Sequence, residues 1–159
     1  TFKLPRVRQE IGQALPYNVV HLASHGVFGS SSDDSFIMAH DQIITIDELE
    51  VLLSSENLKN DPIELLTLSA CQTAEGDDRS PLGFSGIAIR AKVRSVLGSL
   101  WSVDDDATLA FMESFYRQLQ DPDISKARAV QLAQQQLLKN HDYQHPYFWS
   151  PFLLIGNWL

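Results

Sequence analysis

Four short runs in this chain are mainly apolar, and they limit its fold more than any other feature. They are Tyr17 to Ala23, Leu65 to Ala70, Ser95 to Trp101 and Phe152 to Ile155. In each, apolar residues fall on both faces of a strand, not on one alone as in a strand wetted on one side. Such runs are strands covered on both sides, so the segments between them must supply the cover. Helical spacing runs through Leu4, Val7, Ile11 and Leu15, and again from Gly83 to Ala91, with Phe84, Ile87, Ala88 and Ala91 on one face. Asp106 to Leu119 is amphipathic, with Leu109, Met112, Phe115, Tyr116 and Leu119 as its stripe. Asp123 or Ser125 caps a further helix that turns Ala127, Val130, Ala133 and Leu137 inward. Thr45 and Glu48 have the spacing of a capping box, which starts a helix running to about Leu53. Ser35 to His40 reads as a short strand leading to a turn, and Gly29 to Asp34 as a mobile loop. Buried strands alternating with helices predict an α/β fold with a mainly parallel sheet, and 159 residues suit one domain.

Composition narrows the class of function. A net charge of −8 opposes non-specific binding to nucleic acid or anionic membrane. It suits a basic peptide partner, though a plain solubility charge needs no partner at all. No apolar run reaches the roughly 18 residues of a membrane span, and no secretory signal pattern opens the sequence. One cysteine rules out an internal disulfide and fits a reducing, cytoplasmic compartment.

Two of the apolar runs lead into reactive residues. The first continues into Ser24-His25-Gly26, the second into Cys71-Gln72. In a parallel sheet the ligand site lies beyond the carboxyl ends of the strands. If these two strands are neighbours, His25 and Cys71 meet there as a Cys/His dyad. The turn from Trp101 to Asp106 falls at the same edge. A free thiol is only a few per cent ionised at neutral pH, and an adjacent imidazole raises that fraction or acts as general base. Gly26 lets backbone approach closely, so its N–H and that of Cys71 are candidate oxyanion donors. Taken singly, each residue has a plainer role: Cys71 as a small core side chain, His25 as a turn histidine bonded to backbone. A metal site is disfavoured, because one cysteine and scattered histidines give no ligand spacing. His21 and His25 would lie on one strand face about 13 Å apart, too far to share a metal, and His21 reads as packed in the sheet. Neither a calcium-loop spacing nor any cofactor motif is present.

The paired motifs His25-Gly26 and Ala70-Cys71 resemble those of the caspase-like cysteine peptidases. Within that group the chain resembles the CHAT domain, the caspase-like module associated with tetratricopeptide repeats. The matching stretches are HLASHG (His21 to Gly26), LSACQTA (Leu68 to Ala74), GSLWSVDD (Gly98 to Asp105) and HPYFWSPFLLIGNWL (His145 to Leu159). Leu4 to Glu10 resembles the family's entry into its first helix, and the wording is nearest to cyanobacterial members. The resemblance implies a three-layer α/β/α caspase-like fold over residues 1–159 as a single domain, a piece of a larger protein. It implies Cys71 as nucleophile, His25 as general base and acid, and Gly26 in the oxyanion hole. The substrate strand would pair beside Trp101 and Ser102, and Asp105 would receive a basic P1 side chain. The rival role for the acidic run is helix capping by Asp106, with its neighbours complementing the helix dipole. The run His145 to Trp149 reads as a rigid aromatic turn.

The implied activity is that of a cysteine endopeptidase acting on protein or peptide substrates. Repeats in the same or a partner chain would regulate it by ordering the loops at 29–34 and 75–81. Two departures stand out. Lys92 occupies a turn where the family usually has glycine, and a positive φ there would cost lysine about 1 kcal/mol. Between Glu10 and Tyr17 the family usually carries a longer stretch, and before Leu4 another strand and helix, so the sheet is expected to lack a first strand, whether through trimming, a missing loop or a shortened domain. Three rivals share the architecture: a catalytically silent interaction module, a peptide ligase using the same acyl-enzyme, and a flavodoxin-like cofactor binder. The last lacks a glycine-rich phosphate loop.

Overall fold

The computed structural model describes residues 18–28, 35–40, 42–53, 62–73 and 92–159, together with Pro5 and Gln9. The strands are β1 (Val19–Phe28), β2 (Phe36–Met38), β3 (Ile43–Thr45), β4 (Leu65–Thr73), β5 (Ser95–Ser99) and β6 (Phe152–Gly156). They form one sheet in the order β3-β2-β1-β4-β5-β6. The central three, β1, β4 and β5, run parallel. The hairpin β2–β3 joins β1 antiparallel on one side, and β6 joins β5 antiparallel on the other. The described helices are α1 (Ile46–Leu53), α2 (Asp105–Gln118), α3 (Lys126–Lys139) and the single turn α4 (Pro146–Trp149), with a 3-10 turn at His141–Tyr143.

The mainly apolar reading of the strands has a simple origin: adjacent residues feed opposite cores. Leu66, Leu68 and Val96 enter one core with Leu22, Ile37, Ile44 and the α1 residues Leu49, Leu52 and Leu53. Leu65, Leu97 and Phe152 enter the other, beneath Phe111, Met112 and Phe115 of α2 and Ala129, Val130, Ala133 and Leu137 of α3. Helices therefore cover both faces, which is the three-layer α/β arrangement.

The caps account for the helix starts. The Thr45 hydroxyl accepts from Glu48 N at 3.2 Å, and the Glu48 carboxylate accepts from Thr45 N at 3.0 Å, so the capping box forms as expected. Ser125, not Asp123, caps α3 by accepting from Arg128 N at 3.2 Å. Before α2 the cap is Asp104, whose Oδ1 accepts from Asp106 N and Ala107 N, both at 3.1 Å. Asp106, expected to be the cap, lies inside the helix instead. The expected stripe on α2 also needs correcting. Leu109 is 57% exposed, while Phe111 is fully buried. Phe111 stacks on Phe152 with ring centroids 3.7 Å apart. Ala127, expected inward, is half-buried.

β5 stops at Ser99, so Trp101 lies beyond the strand rather than in it. β1 is longer than expected and carries His25 within it. Lys92 has φ of 54°, the left-handed conformation that the turn was suspected of needing. Gly156 has φ of +103°, and a Cβ there would sit 2.3 Å from the carbonyl oxygen of Arg94. That carbonyl accepts from Asn157 N at 2.7 Å, so the end of β6 is drawn tightly onto the start of β5. On the side of β1 away from β4, β2 pairs with its last residues through Gly26–Ile37 and Val27–Phe36. Pro5 and Gln9 are helical, and otherwise the segments 4–15, 29–34, 75–81 and 83–91 lie outside the described residues.

Candidate active site

Parallel pairing of β1 with β4 sets the register of the two candidate catalytic residues. The ladder runs from Val19–Leu65 through His21–Thr67 to Ala23–Ser69, and resumes at Gly26–Cys71. Between these last pairs β1 takes three steps to β4's two. The extra residue is a bulge, a device that re-aims side chains at the end of a strand. It falls on Ser24 and His25. The strict alternation that would place His21 and His25 on one face is broken there. The Ser24 hydroxyl donates to the Met38 carbonyl, which ties the bulged segment to β2. His25 is exposed and Gly26 is buried. The backbones of His25-Gly26 and Cys71 therefore lie side by side on adjacent strands. Both pairs fall in the carboxyl-terminal parts of their strands, His25 three residues from the end of β1 and Cys71 two from the end of β4.

The third parallel strand brings the segment after Ser99 to the same edge of the sheet. Trp101 is half-buried and Ser102 exposed. A reciprocal clamp fixes both to α4. Trp101 Nε1 donates to the Tyr147 carbonyl at 3.1 Å, and the Tyr147 hydroxyl donates to the Ser102 carbonyl at 2.7 Å. The two rings stack with centroids 6.2 Å apart. His145 Nδ1 in turn accepts from Tyr147 N at 3.2 Å. The aromatic turn at 145–149 is thus a brace for the residues that follow β5, a role its composition did not disclose.

Asp105 is exposed in the first turn of α2. Because Asp104 carries the cap, the side chain of Asp105 is not needed for it. The acidic end of this helix also acts on Tyr143. Desolvation raises the pKa of that phenol, and the charges of Asp106, Asp104 and Asp142 raise it further.

One polar cluster along β1 and β4 has no counterpart in the sequence reading. His21 Nε2 and Ser69 Oγ are hydrogen-bonded at 2.8 Å. The His21 ring lies 5.5 Å from that of Tyr116 on α2. The Tyr116 hydroxyl donates to Thr67 Oγ1 at 2.9 Å. Thr67 and Ser69 are buried, at 0% and 7% exposure, so their hydroxyls need these partners. His21 is less enclosed than expected and keeps an exposed edge. The protein packed around the rest of the ring disfavours the imidazolium and lowers its pKa. A histidine and a serine in separate apolar runs carry no sequence signal that they will meet.

Among the described residues, no three His, Cys, Asp or Glu side chains converge as metal ligands would, and no helix is long and apolar enough to cross a membrane. The family model described as CHAT domain matches residues 2–157. No curated protein sequence matches the chain.

Proposed function

The chain belongs to the CHAT domain family, and on that premise we propose that it is a caspase-like cysteine endopeptidase acting on protein substrates. The observation that carries this reading is the register of β1 on β4, with Gly26 opposite Cys71 and His25 one residue away. Cys71 Sγ, as thiolate, attacks the scissile carbonyl carbon, and the carbonyl π electrons move to oxygen. The N–H groups of Gly26 and Cys71 stabilise that oxyanion. As the tetrahedral intermediate collapses, the C–N bond breaks and the His25 imidazolium gives its proton to the departing amine. The thioester left on Cys71 is then attacked by a water that His25 deprotonates. Collapse of this second intermediate frees the carboxylic acid and returns the thiolate and imidazolium.

In this reading the substrate lies extended beside Trp101 and Ser102 and places a basic P1 side chain toward Asp105. The Trp101–Tyr147 clamp supports that assignment, because an edge that binds a strand must itself be held rigid. Tetratricopeptide repeats, in the same or a partner chain, would gate the site.

The test is labelling by peptidyl acyloxymethyl ketones with P1 arginine or P1 leucine, read by intact mass. The parent is compared with Cys71→Ala and Asp105→Ala. Adduct formation that requires Cys71, and that weakens in Asp105→Ala for the arginine probe alone, is the expected outcome. Labelling of Cys71 by the leucine probe only would remove the acidic pocket and keep the peptidase. Silence with both probes, in the presence of repeat-containing partner as well as alone, would count against the peptidase and favour an interaction module.

A further inference from the structure

The active-site reading uses neither His21 nor Ser69, yet a side-chain hydrogen bond between them joins the two strands that carry the dyad. Its place in the ladder is telling. Ala23–Ser69 is the last regular pair before the bulge, and Gly26–Cys71 is the first after it. Immediately before this irregularity the His21 ring reaches across to the hydroxyl of Ser69, two residues ahead of Cys71. The backbone ladder pairs Gly26 with Cys71 but is irregular across Ser24 and His25, so the His25 segment is held less regularly than the rest of β1. A cross-strand tie on its near side limits how far β4 can slide or twist relative to β1. Tyr116 backs the imidazole with its ring and is itself held by Thr67.

We infer that His21 is a positioning residue, which sets the reactivity of the Cys71 thiol by tying Ser69 to β1 just ahead of the bulge that carries His25. The inference rests on the Cys71/His25 reading and deepens it. Small errors in such a pair are costly, since a misplacement of about 1 Å can lower a rate roughly a hundredfold. Partial loss of the tie is expected to cost about tenfold.

The experiment measures the rate of Cys71 alkylation by iodoacetamide from pH 5 to 9 on the full chain, with a thermal melt of every variant. The set is the parent, His25→Ala, His21→Phe, His21→Gln, Ser69→Ala and the double variant His21→Phe/Ser69→Ala. Phenylalanine keeps the ring against Tyr116 and loses the bond to Ser69; glutamine can remake that bond. His21→Phe and Ser69→Ala should each slow alkylation at pH 7 by about tenfold and move its pH midpoint upward, as a less activated thiol requires. The double variant should be no slower than the slower single variant, because both remove one interaction. His21→Gln should alkylate within about twofold of the parent, since the tie is kept. Parent-like profiles in His21→Phe and Ser69→Ala would overturn the inference. So would losses that multiply in the double variant, or a glutamine variant as slow as the phenylalanine one at equal melting temperature. If His21→Phe does not fold, Ser69→Ala and His21→Gln still decide. The His25→Ala arm separates the two readings. An unchanged profile there removes the dyad and the inference with it, whereas a shifted profile beside a parent-like Ser69→Ala removes the inference alone.

Discussion

At the residue scale, Lys92 shows how far sequence reasoning can reach. The resembled family usually has glycine at this turn, which raises the suspicion of positive φ, and the φ of Lys92 is 54°. A side chain with a Cβ is strained there and glycine is not. Lys92→Gly is therefore expected to raise stability in denaturant titration by up to about 1 kcal/mol, with glycine's greater unfolded-state entropy offsetting part of the gain. A loss of stability would mean that the lysine side chain makes a contact worth more than the strain. His21 predicts a pH effect. Its folded pKa is lowered by burial, so below about pH 6.5 the unfolded chain takes up a proton that the folded protein resists. Stability from a neutral His21 is complete at higher pH and falls as pH drops below that value. The parent should lose ground to His21→Gln between pH 7 and pH 5 in parallel denaturant titrations. A constant difference across that range would show that the imidazole is not protected from protonation.

At the element scale, the starts of helices were legible and their buried faces less so. The capping box at Thr45 and Glu48 is a local pattern, and it forms as written. The three aspartates at 104–106 are harder, since each is a competent cap by composition and only backbone geometry chooses among them. The structure chooses Asp104. Asp104→Ala should cost about 1 kcal/mol, and Asp105→Ala only a few tenths through the helix dipole, as read by thermal melts. Equal costs would contradict the cap assignment. The difference has a practical use, because it leaves Asp105→Ala a clean probe of the proposed acidic pocket. The α2 stripe holds at Met112, Phe115, Tyr116 and Leu119 and fails at Leu109 for a related reason. Periodicity alone accepts Leu109, but the axis of the helix over the sheet is set by Phe111 meeting Phe152, a contact between residues 41 apart that no local window contains.

At the scale of the whole molecule, the layers and the parallel centre followed from runs with apolar residues on both faces, because such runs must be buried on both sides. The strands bearing His25 and Cys71 are recognisable by their content, and their adjacency is a property of topology that no single run reveals. The bulge at Ser24-His25 and the His21–Ser69 tie belong to the same class of information, since both exist only once β1 and β4 are paired. The two cores differ in what holds them. Phe111→Ala in the α2–α3 core should cost about 3–5 kcal/mol, and Leu109→Ala within about 0.5 kcal/mol. Similar costs from the two would place the α2 axis differently. The clamp between Trp101 and Tyr147 carries a consequence in time. During synthesis at about 5–20 residues per second, His25 and Cys71 emerge well before Tyr147. Until Tyr147 emerges, the Ser102 carbonyl lacks its brace, and β5 cannot gain β6 as a neighbour until Phe152–Gly156 follows. A nascent chain therefore carries both candidate reacting groups before it has the wall against which a substrate would lie. The order of residues along the polypeptide thus leaves the bracing of Trp101 and Ser102 to the last part of the domain to be made.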